Sequence, residues 1–348
     1  MWNIKKKVDL VLITIFLTFV TGVINGQHKA IVRDSIIKYT DSVFVVLKNK
    51  NINSNNIEWS SYKDNFLKDV DSFSSLESFL PSFIDVWKDL GSDHTFIIHN
   101  EKQYGIEHSL TADDLSTSLI EKYQNEISFE FKVVDQKYGY ILIPPINATT
   151  IDKEIKKEIQ DNYEKISYLT NTNSLEGWII DLRLNTGGNC WPMIAPLYDF
   201  LGDQIIGGWK FKDHIEKFQF KDGKLIEEDK ELVSIKIKNN SSLLNVPVAI
   251  ITGKMTASSG EIVAISFKGR ANTIFIGEKS FGRTTTNEMY HLPYGGILLN
   301  TEGLDVDRNG GFYDKIFPDI EVIKGDNFQN LSEDKNVKEA INFFKTKV

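Results

Sequence analysis

Apolar residues recur at helical spacing in the first quarter of the chain. From about residue 31 to residue 90, large apolar side chains fall three and four positions apart. This spacing places them on one face of each helix and predicts a small helical region. The same period returns over residues 152–168, where it predicts a longer helix that Thr149 or Thr150 caps at its start.

The second half of the chain alternates short apolar runs with helical stretches. Runs of this length with flanking helices are typical of buried strands in a parallel sheet, so the pattern predicts an α/β fold. A charged stretch within about 205–240 alternates with apolar residues and predicts an inserted hairpin or flap. The apolar runs lie at residues 177–181, 246–251 and 273–277.

One of these runs leads into a serine motif, residues 256–261. The motif follows an apolar run and precedes a helical stretch, which puts Ser258 at a strand-to-helix elbow. A helix that begins there leaves its first backbone N–H groups free to receive an anion beside the hydroxyl. Ser258 and Glu261 also have the spacing of an ordinary capping box, so the motif alone fits a structural role as well.

A second run ends in a glycine-rich turn, with the order Asp-Leu-Arg-Leu-Asn-Thr-Gly-Gly at residues 181–188. Gly187 and Gly188 can take positive φ and approach a ligand closely, so an amide there can donate to a developing oxyanion. A plain turn into the next helix would explain the two glycines but not the whole string.

Together with residues 139–143, 276–282 and 317–319, these strings resemble the C-terminal processing (tail-specific) serine peptidases. The resemblance covers about residues 138–322 and extends to the tricorn core protease and the interphotoreceptor retinoid-binding protein modules. It implies a crotonase/ClpP-like ββα superhelix as the core. It further implies Ser258 as the nucleophile, with the amides of Ser259 and of either Gly187 or Gly188 as the oxyanion hole.

The chain departs from the processing branch at the general base. That branch has a lysine where this sequence has Arg283, and a guanidinium keeps its proton at any enzymatic pH. A Ser–Lys dyad is therefore excluded at this position. The segment 91–96 resembles the histidine motif of the tricorn-like branch and makes His94 the candidate base. Arg283 is left as a clamp for a substrate carboxylate or as a structural ion-pair partner.

The group that would orient His94 stays open in the sequence. Triad logic requires only an acceptor that fixes the imidazole tautomer, and order along the chain does not reveal which acceptor is near. No metal site is expected, because His94 and His99 match no helical ligand pair and have no third ligand nearby. The candidate orienting groups are Ser92, Asp93, Glu261, Asp305 and Asp314.

The N-terminus has the pattern of a secretory signal. Three lysines precede a mostly apolar run, so residues 1–26 are predicted as a signal peptide. The mature chain is expected to be periplasmic or extracellular, without a stable membrane span after the signal is removed; an uncleaved membrane anchor is the alternative, although the run is shorter than the ~20 apolar residues of a usual span. The rest divides into a helical domain (27–95), a connecting segment (96–135) and a peptidase core (136–348). The connecting segment is too short for a PDZ domain. Cys190, the only cysteine, is expected to pack at the start of a helix.

Composition narrows the partners. Forty basic residues against 48 acidic ones give a net charge of −8, and no basic stripe with interleaved aromatics is present, which argues against a nucleic-acid partner. The expected partner is a peptide or protein substrate, with no cofactor. The alternative is a non-catalytic binder of hydrophobic ligands or peptides on the same fold, as in the retinoid-binding modules.

Overall fold

The computed structural model describes residues 27–107, 110–125, 127–238 and 243–347, so the predicted signal peptide lies outside the described residues. The described residues form two compact units, one within Met1–Glu107 and Asn287–Glu302, and the other within His108–Thr286 and Gly303–Val348. The predicted boundaries at residues 95 and 135 stay a prediction, since the units are defined by packing and the first one also takes in a late segment of the chain.

The helices of the described residues fall in both units. They are α1 (27–50), α2 (Trp59–Phe66), α3 (Leu76–Phe79), α4 (Phe83–Leu90), α5 (Thr117–Tyr123), α6 (Lys153–Thr172), α7 (Trp191–Ile194), α8 (Tyr198–Leu201), α9 (Ser259–Ser266) and α10 (Lys335–Lys345).

The strands are numbered in chain order. They are β1 (Phe96–His99), β2 (Lys102–Tyr104), β3 (Glu130–Val134), β4 (Tyr138–Leu142), β5 (Gly177–Asp181), β6 (Ile205–Lys210), β7 (Ile215–Lys221), β8 (Lys224–Glu227), β9 (Lys230–Ser234), β10 (Val248–Thr252), β11 (Thr273–Gly277), β12 (Thr285–His291), β13 (Ile297–Asp307) and β14 (Ile320–Glu321).

The first unit is built on four helices and confirms the predicted helical region. Helix α4 buries Phe83, Val86, Trp87 and Leu90 in an aromatic-rich core, as their spacing requires. The helix ends at Gly91, whose φ of 65° is the left-handed conformation that glycine adopts most easily. Strand β1 follows and pairs antiparallel with β2 and with the first residues of β13.

The second unit contains a mixed sheet in the order β14-β11-β10-β5-β4-β3. Strands β4, β5, β10, β11 and β14 are parallel, and β3 is antiparallel to β4. Strands β5, β10 and β11 confirm the three predicted apolar runs. Ile251 of β10 lies opposite Asp181 of β5, so both predicted motifs leave the sheet at the same edge.

Antiparallel hairpins form the stretch predicted as an insertion. Strands β6 to β9 pair in succession, and β6 also pairs with the later part of β13 through Leu304 opposite Lys210. The predicted hairpin is confirmed, although residues 239–242 at its end lie outside the described residues. With its helical first region and this mixed sheet, the chain is an α/β protein.

Helix α6 begins differently from the prediction. The expected cap at Thr149 or Thr150 is wrong, because the Asp152 carboxylate accepts from the N–H groups of Glu154 and Ile155 at 2.9 and 3.0 Å. A carboxylate in this position also interacts favourably with the positive end of the helix. Within residues 27–107, 110–125, 127–238 and 243–347, no helix is long and apolar enough to cross a membrane.

Candidate active site

Ser258 occupies the elbow between β10 and α9. Its backbone has φ 50° and ψ −120°, a conformation that non-glycine residues rarely adopt and that costs about 1–3 kcal/mol. Ser258 is half-buried, whereas its neighbours Ala257 and Ser259 are buried. The strained turn therefore presents the hydroxyl at a surface that the adjacent residues do not reach.

The elbow is tied to the loop that follows β5. The Thr256 hydroxyl donates to the carbonyl of Leu182 at 2.8 Å and accepts from the N–H of Gly253 at 2.9 Å. The N–H of Ala257 donates to the carbonyl of Asn185 at 3.0 Å. These bonds hold the serine motif against the glycine-rich motif within the second unit.

Both glycines of that motif are required by close contacts. Gly187 has φ 111°, and a Cβ there would lie 2.9 Å from Cβ of Ser258. Gly188 has φ 114°, and a Cβ there would lie 2.2 Å from the carbonyl oxygen of Ile146. Only glycine fits either position, and the backbone at Gly187 consequently lies directly beside the serine side chain.

The backbone N–H groups around Ser258 differ in their partners. The N–H of Gly187 donates to Oδ1 of Asn185 at 3.0 Å. The hydroxyl of Ser259 donates to the carbonyl of Gly188, which fixes the two motifs together. In the described part of the chain, no protein acceptor is assigned to the N–H of Gly188 or to that of Ser259. Two donors therefore remain for an anion at the elbow.

Glu261 braces the turn at Ser258 through hydrogen bonds. Its fully buried carboxylate accepts from the N–H groups of Ser258 (2.9 Å), Gly282 (2.9 Å) and Arg283 (2.7 Å), and from the hydroxyl of Ser280. Burial raises the pKa of Glu261, while these donors oppose the rise. The Glu261 carboxylate thus joins the turn at Ser258 to residues 280–283.

Arg283 contributes to this brace through its backbone. Its guanidinium lies over the ring of Phe281, 5.1 Å from the ring centroid. A cation over an aromatic face is a stabilising contact. The position at which the processing branch has its lysine base therefore holds a permanently charged side chain that packs on Phe281.

Two further predicted acids of the second unit have contrasting surroundings. Asp305 is fully buried, and within the described residues neither of its carboxylate oxygens has a hydrogen-bond partner. Burial and the charge of Glu261 raise the pKa of Asp305 well above its ordinary value. Asp314 is exposed, and its carboxylate accepts from the N–H of Lys315 at 2.9 Å.

His94 belongs to the first unit, in the segment between α4 and β1. It is buried, and Asp93 beside it is half-buried. The backbone carbonyl of His94 accepts from Nδ2 of Asn287 at 2.7 Å. Sequence reasoning missed Asn287, because it lies nearly two hundred residues further along and belongs to no recognisable motif.

His99 lies apart from this chemistry. It is buried in the core of the first unit, with its ring edge-on to Tyr39 and Nε2 3.7 Å from a carboxylate oxygen of Glu77. Among the residues that the structure describes, no cluster of three or more histidine, cysteine or acidic side chains could hold a metal ion. The two histidines of this region thus have different environments.

The charged half of the glycine-rich motif forms a buried ion cluster. Arg183 donates to Asp181, and at 2.7 Å each to Asp326 and Asp334. Burial opposes the charge of Arg183, yet the carboxylates raise its pKa well above the ordinary value. The hydroxyl of Tyr140 also donates to Asp181, at 2.8 Å. The side chains of this cluster are bonded to one another and stabilise the sheet edge.

Cys190 packs as predicted. It is buried at the start of α7 within the main core of the second unit. Burial raises the pKa of its thiol well above the ordinary value, which disfavours the nucleophilic thiolate. Cys190 is therefore a structural residue of the core.

A family model and similar known proteins place this chain among the same peptidases. The model of peptidase family S41 matches residues 137–322. The nisin-resistance protein of Lactococcus lactis subsp. lactis is 27% identical over 268 residues, which cover 76% of either chain. The carboxy-terminal-processing protease of Bartonella bacilliformis is 26% identical over 179 residues, which are 51% of this chain and 36% of that one.

Solved structures share the fold. A lipoprotein from Streptococcus agalactiae superposes with a TM-score of 0.63 at 22% identity, over 90% of this chain and 97% of that one. The photosystem II D1 C-terminal processing protease gives 0.53 at 12% identity, over 83% and 93%. Because the family match spans more than half of the sequence, the chain belongs to peptidase family S41 and is a serine-type peptidase that acts on peptides or proteins.

Proposed function

We propose that Ser258 is the nucleophile and that the N–H groups of Ser259 and Gly188 form the oxyanion hole. The observation that carries this proposal is a strained, half-exposed serine beside two backbone donors without a protein acceptor. Gly188 is preferred to Gly187 as the second donor because the N–H of Gly187 is already bonded to Asn185. Donors aimed at a developing charge are commonly the largest single contribution to acyl transfer.

In the proposed reaction, Oγ of Ser258 attacks the peptide carbonyl while its proton passes to His94. The carbonyl oxygen becomes an oxyanion that the N–H groups of Ser259 and Gly188 bind. Collapse of this intermediate breaks the C–N bond, and the imidazolium of His94 gives its proton to the departing amine. A water molecule then adds to the acyl-enzyme by the same route and restores the free serine.

The assignment of His94 rests on its resemblance to the histidine motif of the tricorn-like branch and on the chemistry of Arg283. A model imidazole titrates near pH 6.5 and can accept the serine proton at neutral pH, whereas a guanidinium cannot. Glu261 already accepts from four donors, which favours another group, Asp93 or Asp314, as the acceptor that orients His94.

Three broader features belong to the same proposal. The parallel strands alternating with helices support a crotonase/ClpP-like ββα superhelix. The relatives named carboxy-terminal-processing proteases support protein tails as substrates. The lysines and apolar run before residue 27 support export to the periplasm or the extracellular space.

A fluorophosphonate probe tests the nucleophile and the base together. We expect the wild-type chain to be labelled at Ser258, with peptide mapping of the labelled residue as the measurement. Ser258→Ala should abolish labelling without a large change in the unfolding temperature. His94→Ala should slow labelling at least ~100-fold, which is the lower end of what a positioned base contributes.

Arg283→Lys serves as the matched control for the base. On this proposal a lysine there leaves the pH dependence of labelling as it was. An unlabelled wild-type chain, under conditions in which a known serine hydrolase reacts, would contradict the nucleophile. Strong activation by Arg283→Lys together with an unaffected His94→Ala would contradict the base.

A further inference from the structure

A chain of buried hydroxyls and amides supports the segment that carries His94. Ser92 and Thr95, on either side of His94, are both buried, and their hydroxyl oxygens lie 2.7 Å apart. Thr95 Oγ1 lies 3.0 Å from Oγ1 of Thr301 on strand β13 and donates to it. All of these residues belong to the first unit.

The direction of the hydrogen bonds in this chain is fixed by counting protons. The Thr301 hydroxyl donates to Oδ1 of Asn287 at 2.9 Å, so its own lone pairs accept from Thr95. Thr95 Oγ1 also accepts from Nδ2 of Asn51 and from the N–H of Thr301, at 3.2 Å each, so its own proton is the one used on Thr301. The order of donation is therefore Thr95, Thr301 and then Asn287.

The backbone carbonyl of His94 fixes the orientation of the Asn287 amide. A carbonyl only accepts, so the amide atom 2.7 Å from it is Nδ2, and Oδ1 faces the Thr301 hydroxyl. A flipped amide would set Oδ1 against the carbonyl oxygen of His94 with no proton between them, so that bond would be lost. Asn287 thus holds the His94 backbone in one place.

We propose that Asn287 is a positioning residue for His94. Its amide bridges the backbone of the base to the buried hydroxyl chain, and it acts on catalysis through His94 without touching substrate. The inference rests on the proposed role of His94 as the general base. Catalytic geometry is sensitive to small displacements, and an error of about 1 Å at a reacting group can cost ~100-fold in rate.

The test measures fluorophosphonate labelling of Ser258 in the full chain carrying Asn287→Asp or Asn287→Ala. The aspartate keeps the shape and the acceptor from Thr301 but sets a carboxylate oxygen against the His94 carbonyl. We expect the maximal labelling rate to fall at least ~10-fold in both variants, with the probe concentration for half-maximal rate unchanged. A residue that only stabilises the fold would not give this separation of rate from affinity.

Asn173→Ala is the matched control. Asn173 is a half-buried amide, as Asn287 is, and its Nδ2 donates to the backbone carbonyl of Leu169 and to the hydroxyl of Thr172, both at 3.0 Å, outside the chain of residues that holds His94. Its loss should lower the unfolding temperature and leave labelling within twofold of wild type, measured where every variant is folded. Thr301→Val, which removes only the hydroxyl that donates to Asn287, should slow labelling ~2–5-fold and provides a second variant if the Asn287 substitutions do not fold.

The outcomes separate this inference from the proposed function. If wild type is labelled and His94→Ala is not, while the Asn287 and Thr301 variants react at the rate of Asn173→Ala, the positioning role is wrong and the base assignment stands. If His94→Ala reacts at the wild-type rate, the base assignment fails and the inference fails with it. If His94→Ala is slow and the Asn287 variants are also slow while the control variant is not, the inference is supported.

Discussion

Two turns at the same edge of the parallel sheet use their polar residues in opposite ways. The turn after β5 buries Arg183 among three carboxylates, and each charge of that cluster has a partner. The turn after β10 holds Ser258 half-exposed in a strained conformation, with backbone donors left over. The charged residues are thus bonded to one another, whereas the proposed nucleophile is left accessible beside unused backbone donors.

This contrast separates stability from reactivity within one unit. A buried ion cluster is satisfied only as a whole, so removing one member leaves uncompensated charge. The backbone donors at the elbow gain an acceptor only when an anion binds there. Their contribution therefore appears in the binding of that anion and not in the stability of the free protein. Substitutions in the two turns should consequently change different measurable quantities.

The largest effect on stability is expected from Arg183→Met. Asp181, Asp326 and Asp334 would lose their common partner inside the core, which should lower the free energy of unfolding by about 3–5 kcal/mol. Chemical denaturation measures this loss. The exposed pair of Lys157 and Asp161 provides the control, and Lys157→Met should leave the unfolding midpoint unchanged.

Labelling of Ser258 in the folded Arg183→Met protein sharpens the same comparison. We expect a rate within a few-fold of wild type, because the guanidinium contacts carboxylates and the ring of Phe328 but no group at the elbow. A free energy of unfolding equal to that of wild type in Arg183→Met would show that the ion cluster does not stabilise the protein.

Glu261→Gln should lower the reactivity of Ser258 more than it lowers the stability of the protein. One oxygen of Glu261 accepts from the N–H groups of Ser258 and Arg283, and the other accepts from the N–H of Gly282 and the hydroxyl of Ser280. An amide accepts through one oxygen only, so its NH₂ group would face the donors of one of these two pairs. We expect labelling of Ser258 to slow by about 10-fold or more, with a loss of roughly 1–3 kcal/mol in stability. The labelling rate and the unfolding free energy are measured on the same sample.

Glu164→Gln is the control for this substitution, since Glu164 is an exposed carboxylate paired with Lys238. It should change neither quantity. An unaltered labelling rate in Glu261→Gln would mean that the brace beneath Ser258 does not determine its reactivity.

The smallest effect is a gain in stability from Asp305→Asn. Because burial raises the folded pKa of Asp305 above its unfolded value near 3.8, the unfolded state ionises first as pH rises. The native state then loses stability from about pH 4 up to the folded pKa. Asparagine removes this loss, so the variant should exceed wild type by on the order of 1 kcal/mol at pH 7 and converge with it below pH 4.

Asp307→Asn tests whether the gain is specific to the unpartnered acid. The Asp307 carboxylate accepts from the N–H groups of Asn309 and Gly311 and from the hydroxyl of Tyr313. Removing that charge should destabilise the protein. A destabilised Asp305→Asn with the same pH profile as wild type would mean that Asp305 has a partner in solution.

The sequence predicted local features well and distant partners poorly. Ser258 at a strand-to-helix elbow, the strand before it and the glycines beside it follow from short-range pattern and conformational preference. By contrast, two partners of Arg183, Asp326 and Asp334, lie 143 and 151 residues away, and nothing in their local sequence marks them. Asn287 is still further from His94, at 193 residues. Such contacts depend on topology, which a single sequence does not specify.

The positive φ of Ser258 sets a conflict for the evolution of this protein. Glycine is the residue best suited to that turn, so a lineage released from selection for peptidase activity gains stability by replacing Ser258 with glycine. Alanine keeps the backbone strain and glycine relieves it. An inactive descendant used for binding would therefore tend toward glycine at this position, and an alanine variant is the more faithful mimic of the active enzyme for trapping a bound substrate.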